Sequence, residues 1–140
     1  MKKLTAFAIF LFCILVVQAQ MKEDSVQIVQ TGLDYLEGWY TADTVRMCRA
    51  LHADLIKRRV IADQGNKIVQ LTKPVMMEKT RNHKIVSVAE QQIKITILDI
   101  YGTIASVKAE SKAFNDYLHM AKIDGQWVIL NALWDRKPKK

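Results

Sequence analysis

The chain has 140 residues, of which half are hydrophobic, with a formal net charge of +7 and two cysteines. This length allows one domain around a single core. No helix-turn-helix, zinc-finger or RNA-binding signature accompanies the positive charge, so we expect nonspecific electrostatic attraction and no nucleic-acid partner. The three histidines (His52, His83 and His119) are scattered, and no cysteine or carboxylate spacing completes a ligand set, so no metal and no cofactor is expected.

The first 19 residues have the pattern of a cleavable signal peptide. Lys2 and Lys3 precede the apolar run LTAFAIFLFCILVV, and VQA at residues 17–19 offers a small-residue cleavage site. The run is too short for a stable membrane anchor. We therefore expect a periplasmic or secreted mature chain that begins at Gln20. Removing two lysines lowers the charge from +7 to +5, and Cys48 is left as the single cysteine, without an intramolecular disulfide.

The segment from Asp24 to about Tyr40 predicts a long amphipathic helix with Asp24 as its N-cap. Its apolar arc is broad, so a wide concave surface such as a curved sheet is expected to cover it. Asp43 favours a new helix cap. A second, shorter helix is then expected to run to about His52, with Cys48 as a small buried residue on its apolar stripe.

The rest of the chain predicts a sheet interrupted by one short helix. LIKRRVI at residues 55–61 and KIVQL at residues 67–71 are expected strands around a turn at DQGN. Thr72 opens a third helix with Pro74 in its first turn. Three or four antiparallel strands are expected over residues 91–100, 103–111, 117–123 and 127–134, and the first two alternate as half-buried strands do. Hairpin turns are expected at Tyr101-Gly102 and Asp124-Gly125, and residues 114–116 should form a turn or bulge.

Two segments of the chain resemble the nuclear transport factor 2-like superfamily: YLEGWYTADTVRMCRALHADLIKR (Tyr35–Arg58) and DGQWVILNALW (Asp124–Trp134). Within it, the chain is similar to the "putative lumazine-binding" group of small exported bacterial proteins. The resemblance implies one α+β domain at residues 20–136, followed by a basic tail at residues 137–140. Its fold would be a cone in which N-terminal helices pack in a strongly curved antiparallel sheet. The fold hosts isomerases, dehydratases and noncatalytic binding or dimerisation modules, so it does not fix the function.

His52 and Asp99 are the candidate general bases. A histidine on a cone wall could act as a base near neutral pH, but its ring could equally seal the junction between helix and strand. Asp99 could abstract a proton while Tyr101 or Tyr117 stabilises an enolate. These positions match the catalytic pattern of no enzyme subfamily, so no catalytic residue is assigned.

The other candidates would line a ligand pocket between helix and sheet. An inward Arg58 would hold a carboxylate or phosphate, although cations on strand edges also discourage aggregation. Asn131 would sit among apolar neighbours and would need hydrogen-bond partners. The expected pocket set is Tyr35, Trp39, His52, Arg58, Tyr101, Tyr117, His119, Asn131 and Trp134.

Three functions remain open on this sequence. The leading hypothesis is an exported, noncatalytic domain that binds a small, partly apolar or anionic ligand, or a partner, and forms a homodimer through its sheet. The second is an isomerase or dehydratase with Asp99 or His52 as base, which requires a paired polar group inside a cavity. The third is a structural homodimer of the cell envelope, which requires a large exposed apolar patch on the sheet.

Overall fold

The computed structural model describes the backbone of residues 2–138 and the side chains of residues 20–138. In chain order the elements are α1 (Lys2–Tyr40), α2 (Thr44–Ala50), β1 (Leu51–Ile61), a 3-10 turn (Ala62–Gln64), β2 (Lys67–Leu71), α3 (Lys73–Arg81), α4 (Val88–Gln91), β3 (Lys94–Tyr101), β4 (Ile104–Glu110), β5 (Phe114–Ile123) and β6 (Gln126–Arg136). The signal peptide predicted at residues 1–19 lies outside the described side chains. Of the helices in the described part of the chain, none has the length and apolarity needed to cross a membrane.

Six strands form one curved, unclosed sheet in the order β2–β1–β6–β5–β4–β3. β3 to β6 are an antiparallel meander, and β1 pairs with β2 antiparallel. β1 and β6 run parallel, so the sheet is mixed where we predicted an antiparallel one. The chain leaves β2 at one edge of the sheet, and α3 and α4 carry it to β3 at the other edge. The meander then runs back across the sheet, so that its last strand, β6, lies beside β1 and parallel to it.

A bulge in β6 decides which of its side chains face the helices. The pairing with β5 shifts so that Leu130 is an extra residue without a partner. Ile129 is buried before the bulge and Ala132 is buried after it, so the inward face passes from odd to even positions. Asn131 is exposed as a result, and the prediction that it lies among apolar neighbours is wrong.

A second bulge, at Leu98, has the same effect in β3. Ile97, which precedes the bulge, packs against the core. Asp99 and Tyr101, which follow it, are both exposed. Both bulges bend their strands. The bent sheet therefore receives α1 on its inner face, and the predicted α+β cone is confirmed.

α1 lies across the inner face of the sheet and is anchored there by polar contacts. Asp24 accepts hydrogen bonds from Lys122 Nζ at 2.6 Å and from Trp127 Nε1 at 2.9 Å. These two bonds, that of Lys122 first, hold the pKa of Asp24 below its ordinary value. Asp24 is inside the helix, not at its N-cap as predicted, because α1 begins before it. The residues buried in the core between α1, α2 and the sheet include Ile28, Leu36, Met47, Leu55, Val107, Leu118 and Ile129.

α2 is shorter than predicted. Asp43 caps it as expected, accepting hydrogen bonds from two backbone N–H groups at 2.9 and 3.0 Å. The helix ends at Ala50, so His52 lies on β1 instead of closing the helix. Met47 and Ala50 occupy its buried face, and Cys48 therefore faces water, contrary to the prediction that it is buried.

The strands of the second half lie close to the predicted positions, with one consequential difference. Residues 114–116 are the start of β5 and not a turn, because they pair with the end of β6. This extension brings Asp116 into the sheet, with its side chain on the same face as Leu118. The short helix α4 before β3 was not predicted.

Gly38 marks a close approach between α1 and α2, and this approach gives a test of the packing. A Cβ at Gly38 would lie 3.0 Å from the backbone nitrogen of Met47 and 3.1 Å from the carbonyl oxygen of Asp43. We expect Gly38→Ala to lower the free energy of unfolding by about 1–3 kcal/mol, although alanine is the better helix former by about 1 kcal/mol. In the control, Gly32→Ala, the Cβ meets only the side chain of Ile95, which can adjust. Urea unfolding measures both, and an unchanged or raised stability of Gly38→Ala would contradict the close packing.

Candidate functional site

A cavity of about 230 Å³ lies between α1, α3 and the inner face of the sheet. We call it the cone cavity. Most of its wall is apolar and consists of Leu36, Trp39, Val69, Leu71, Met76, Phe114 and Trp134. Its polar lining divides into a buried group, Tyr35, Lys57 and Asp116, and an exposed group, Lys79 and Arg136. The cavity thus has a polar closed end, apolar walls and a cationic rim.

A complete ion pair occupies the closed end. Lys57 Nζ donates to the Oδ1 atom of Asp116 and contacts the Tyr35 hydroxyl. The Tyr35 hydroxyl donates to the same Oδ1 atom at 2.8 Å. The side chains of Lys57 and Asp116 are only 7% and 2% exposed, so each charge depends on the other for its stabilisation.

Three different elements supply this cluster, which we call the buried triad. On β1, Lys57 lies two residues after the buried Leu55 and therefore points to the same face. On β5, Asp116 lies two residues before the buried Leu118. Tyr35 comes from α1, whose side chains face both strands. Lys57 and Asp116 were missing from the predicted site, although alternation with apolar neighbours is a signal that could have placed them inside.

The surroundings of the buried triad set its protonation. Lys57 Nζ lies 4.6 Å from the centroid of the Trp134 ring and 5.1 Å from that of the Tyr35 ring, within cation–π range. Burial lowers the pKa of Lys57, and the charge of Asp116 opposes this without cancelling it. Burial, followed by the charge of Asp116, raises the pKa of Tyr35 well above its ordinary value. Tyr35 therefore stays protonated and acts as a hydrogen-bond donor.

The cavity wall also carries hydrogen-bonding capacity that the described residues leave unused. The second carboxylate oxygen of Asp116, Oδ2, accepts no hydrogen bond from them. The indole N–H groups of Trp39 and Trp134 are buried and find no acceptor in the described part of the chain. The hydroxyl of Thr80 and the side-chain carbonyl of Asn115, outside the cavity lining, are likewise buried without a partner among the described residues. The two indole N–H groups are therefore donors on the cavity wall with no acceptor among the described residues.

The candidate residues from the sequence fall into three places. Those that line the cone cavity are Tyr35, Trp39 and Trp134. Those that line a second cavity of about 260 Å³, on the outer face of the sheet, are Asp99, Tyr101, His119 and Asn131. Those that line neither of these two cavities are His52, Arg58 and Tyr117.

Strand geometry explains this division. Arg58 follows the inward Lys57 on β1 and so faces out. The half-buried His52 accepts a hydrogen bond at Nδ1 from the backbone N–H of Asp54 at 3.2 Å. This nitrogen therefore bonds within β1 itself. Asp99 lies beyond the bulge of β3, on the outer face. Neither candidate base therefore reaches the cone cavity.

The outer cavity lies along a row of polar residues that crosses four strands. Asp99 pairs with Ser106, Ser106 with His119, and His119 with Asn131. Directly opposed side chains on neighbouring strands are about 5 Å apart at Cβ. We call these four residues the outer polar row.

Solved structures share this fold. An NTF2-like protein of unknown function from Shewanella baltica OS155 has a TM-score of 0.67 and 22% identity, covering 84% of this chain and 96% of its own. A second, from Silicibacter pomeroyi DSS-3, has a TM-score of 0.68 and 14% identity, covering 84% and 98%. The association domain of C. elegans CaMKII has a TM-score of 0.51 and 16% identity, covering 84% and 96%. At these identities the similarity shows the fold alone.

Sequence comparison agrees with the structural one. No curated protein matches the chain. The profile of the family described as "Putative lumazine-binding" matches residues 23–135, which is most of the chain. The resemblance that we drew from the two sequence segments is confirmed. The chain belongs to the "Putative lumazine-binding" family, and its fold is that of the nuclear transport factor 2-like proteins.

Proposed function

We propose that the protein is an exported, noncatalytic domain that binds one small amphipathic molecule in the cone cavity. The observation that carries this proposal is the arrangement of the lining: a buried polar cluster at the closed end, apolar walls, and cations at the rim. Ligand sites are typically concave and mostly apolar, with few polar groups that fix orientation.

The volume and the charges narrow the class of ligand. The cavity volume of about 230 Å³ lies just below the range of about 300–1,000 Å³ that is usual for drug-sized ligands, which suits a single ring with small substituents. Lys57 and Asp116 neutralise each other, so the closed end favours an uncharged group that donates to Asp116 Oδ2. Lys79 and Arg136 form no ion pair with the described residues, so an anionic group fits the rim.

An isomerase or dehydratase is not supported by the cone cavity, although Asp99 meets Tyr101 and His119 at the outer cavity. Its proposed bases, His52 and Asp99, both lie outside the cone cavity. The carboxylate that does line the cavity, Asp116, is held by Lys57 and Tyr35. Ligand retention without turnover is therefore the function we propose.

Filling the cavity tests this function. 4-Hydroxybenzoate combines a ring, a hydroxyl donor and a carboxylate, and we expect the mature protein to bind it in isothermal titration calorimetry. Val69→Trp places a large side chain on the wall and should weaken binding about tenfold or more, equivalent to about 1.4 kcal/mol. Val60→Trp is the matched control, because Val60 lies on β1 outside the cavity lining and is exposed.

Native mass spectrometry of protein purified from its own host complements this titration, since it detects whatever small molecule is retained. Binding that Val60→Trp preserves and Val69→Trp loses supports the cone cavity as the site. If the native protein carries no small molecule and 4-hydroxybenzoate does not bind, the proposal fails.

Export is the second part of the proposal and rests on residues 1–19. We expect the intact mass of protein from the periplasm or the medium to match a chain that begins at Gln20. Ala19→Arg removes the small residue before the cut and should leave the full-length chain unprocessed. Ala53→Arg, on β1, is the control and should be processed normally. A wild-type chain that keeps residues 1–19 inside the cell would contradict export.

We further propose a homodimer through the outer face of the sheet. Two cross-strand pairs of exposed apolar side chains lie on this face, Tyr101 with Ile104 and Tyr117 with Leu133, one pair on each side of the outer polar row. Exposed apolar surface of this kind favours association. The outer polar row makes the face self-complementary. A two-fold axis can lie between the two sheets, parallel to the strands and level with the middle of the row. It places Asp99 of one subunit opposite Asn131 of the other, so a carboxylate acceptor faces an amide donor.

Charge placed on this face should separate the subunits. We expect the wild type to sediment as a dimer, and Ile104→Glu to sediment as a monomer because a buried, unpaired carboxylate is costly. Val45→Glu is the control, since Val45 is exposed on α2, away from the sheet. The measurement is sedimentation velocity at several concentrations. A monomeric wild type, or a dimer that survives Ile104→Glu, would rule out this interface.

A further inference from the structure

The buried amine of Lys57 has a second chemical capability besides ion pairing. It lies at the wall of an apolar cavity, beside the carboxyl group of Asp116 and the Trp134 ring. Lysine side chains buried in apolar pockets act as nucleophiles toward carbonyl compounds in proteins. The other lysine of the lining, Lys79, is exposed at the rim and has no such surroundings.

We propose that Lys57 is a covalent site, whose amine forms an imine with a small, largely apolar aldehyde or ketone held in the cone cavity. This inference rests on the proposed function, because the carbonyl compound must enter the same cavity as any other ligand. It adds a chemical class, the aldehydes and ketones, and a bond to a named atom, Lys57 Nζ.

The bond forms by steps that Lys57 and Asp116 can complete between them. The ammonium of Lys57 gives one proton to Asp116, and the free amine attacks the carbonyl carbon. Asp116 passes this proton to the carbonyl oxygen, which becomes a hydroxyl. The attacking nitrogen then gives one of its own protons to the Asp116 carboxylate. The result is a neutral carbinolamine beside a neutral Asp116. Asp116 then protonates the carbinolamine hydroxyl, the C–O bond breaks, and water leaves. The products are an iminium at Lys57, the carboxylate of Asp116 and one water.

The surroundings suit both the reactant and the product of this sequence. Burial lowers the pKa of Lys57 and so favours the free amine that attacks. The product is again one cation beside one carboxylate, so no unpaired charge is created in the cavity. Lys57 Nζ, the atom that carries the positive charge of the iminium, lies 4.6 Å from the Trp134 ring centroid, within the range in which a ring stabilises a cation. Tyr35 donates to Asp116 at 2.8 Å and holds the carboxyl group in place throughout.

Reductive trapping tests the site. The mature protein is incubated near neutral pH with benzaldehyde at a stoichiometric concentration and sodium cyanoborohydride, and labelled lysines are located by peptide mass spectrometry. We expect the benzyl group on Lys57 about tenfold above any exposed lysine, because the cavity holds the carbonyl beside the amine. Benzyl alcohol, which has the same ring and no carbonyl group, should compete with the label.

Variants separate the amine from the acid. Lys57→Met should lose the preferred label, whereas Lys94→Gln, which removes an exposed lysine at the start of β3, should keep it. Asp116→Asn retains the amine and removes the proton carrier, and should slow labelling of Lys57 about tenfold or more. The peptide map of the wild type decides the matter on its own if Lys57→Met or Asp116→Asn fails to fold.

Two negative results have different meanings. If calorimetry shows that benzyl alcohol binds while Lys57 is labelled no faster than the exposed lysines, the imine is overturned and the binding function stands. If benzyl alcohol does not bind and Lys57 is not preferred, the imine fails together with this class of ligand for the cone cavity. Preferred labelling of Lys57 that Asp116→Asn leaves unchanged overturns the role given to Asp116.

Discussion

The contact between Lys57 and Asp116 joins the two halves of this fold, because β1 and β5 are separated in the sheet by β6, and Tyr35 ties both to α1. A buried charge without its partner costs several kcal/mol, about 3–5 when one partner is removed. The pair therefore requires that both strands and the helix hold their positions together. The same three side chains line the cone cavity, so the contact that joins the strands to the helix also forms part of the cavity wall.

The two bulges divide the protein into an inner and an outer surface with different chemistry. Without the extra residue Leu130, Asn131 would face α1 and an amide would need partners inside the core. With it, Ala132 packs inward and Asn131 joins the outer polar row. The bulge at Leu98 does the same for Asp99. Polar groups that would be costly inside the cone are thus collected on the outer face, where a second subunit or water can satisfy them.

The sequence predicts the elements of this fold better than it predicts the site. Alternation gave the strand positions because one face of each strand is packed, and the same rule applied to Leu55 would have placed Lys57 inside. It could not place Asn131, because the apolar run VILNALW reads equally well in either register, and only the pairing with β5 reveals the bulge. His52 was misplaced because helix ends are set by tertiary contacts, here the pairing of Leu51 with Ile129.

Charge placement connects the proposed reversible binding to the proposed covalent step at Lys57. The closed end is neutral as a pair, whereas the rim carries two cations, so an anionic substituent is drawn outward and the uncharged end of the same molecule points toward Asp116. A carbonyl group at that uncharged end would arrive beside the amine without any rearrangement of the chain. Because the pair carries no net charge before or after imine formation, the proposed product leaves the closed end as neutral as the reactant. In the proposed binding mode the buried triad and the two rim cations together orient the ligand, and the triad alone accounts for the reactivity of the amine.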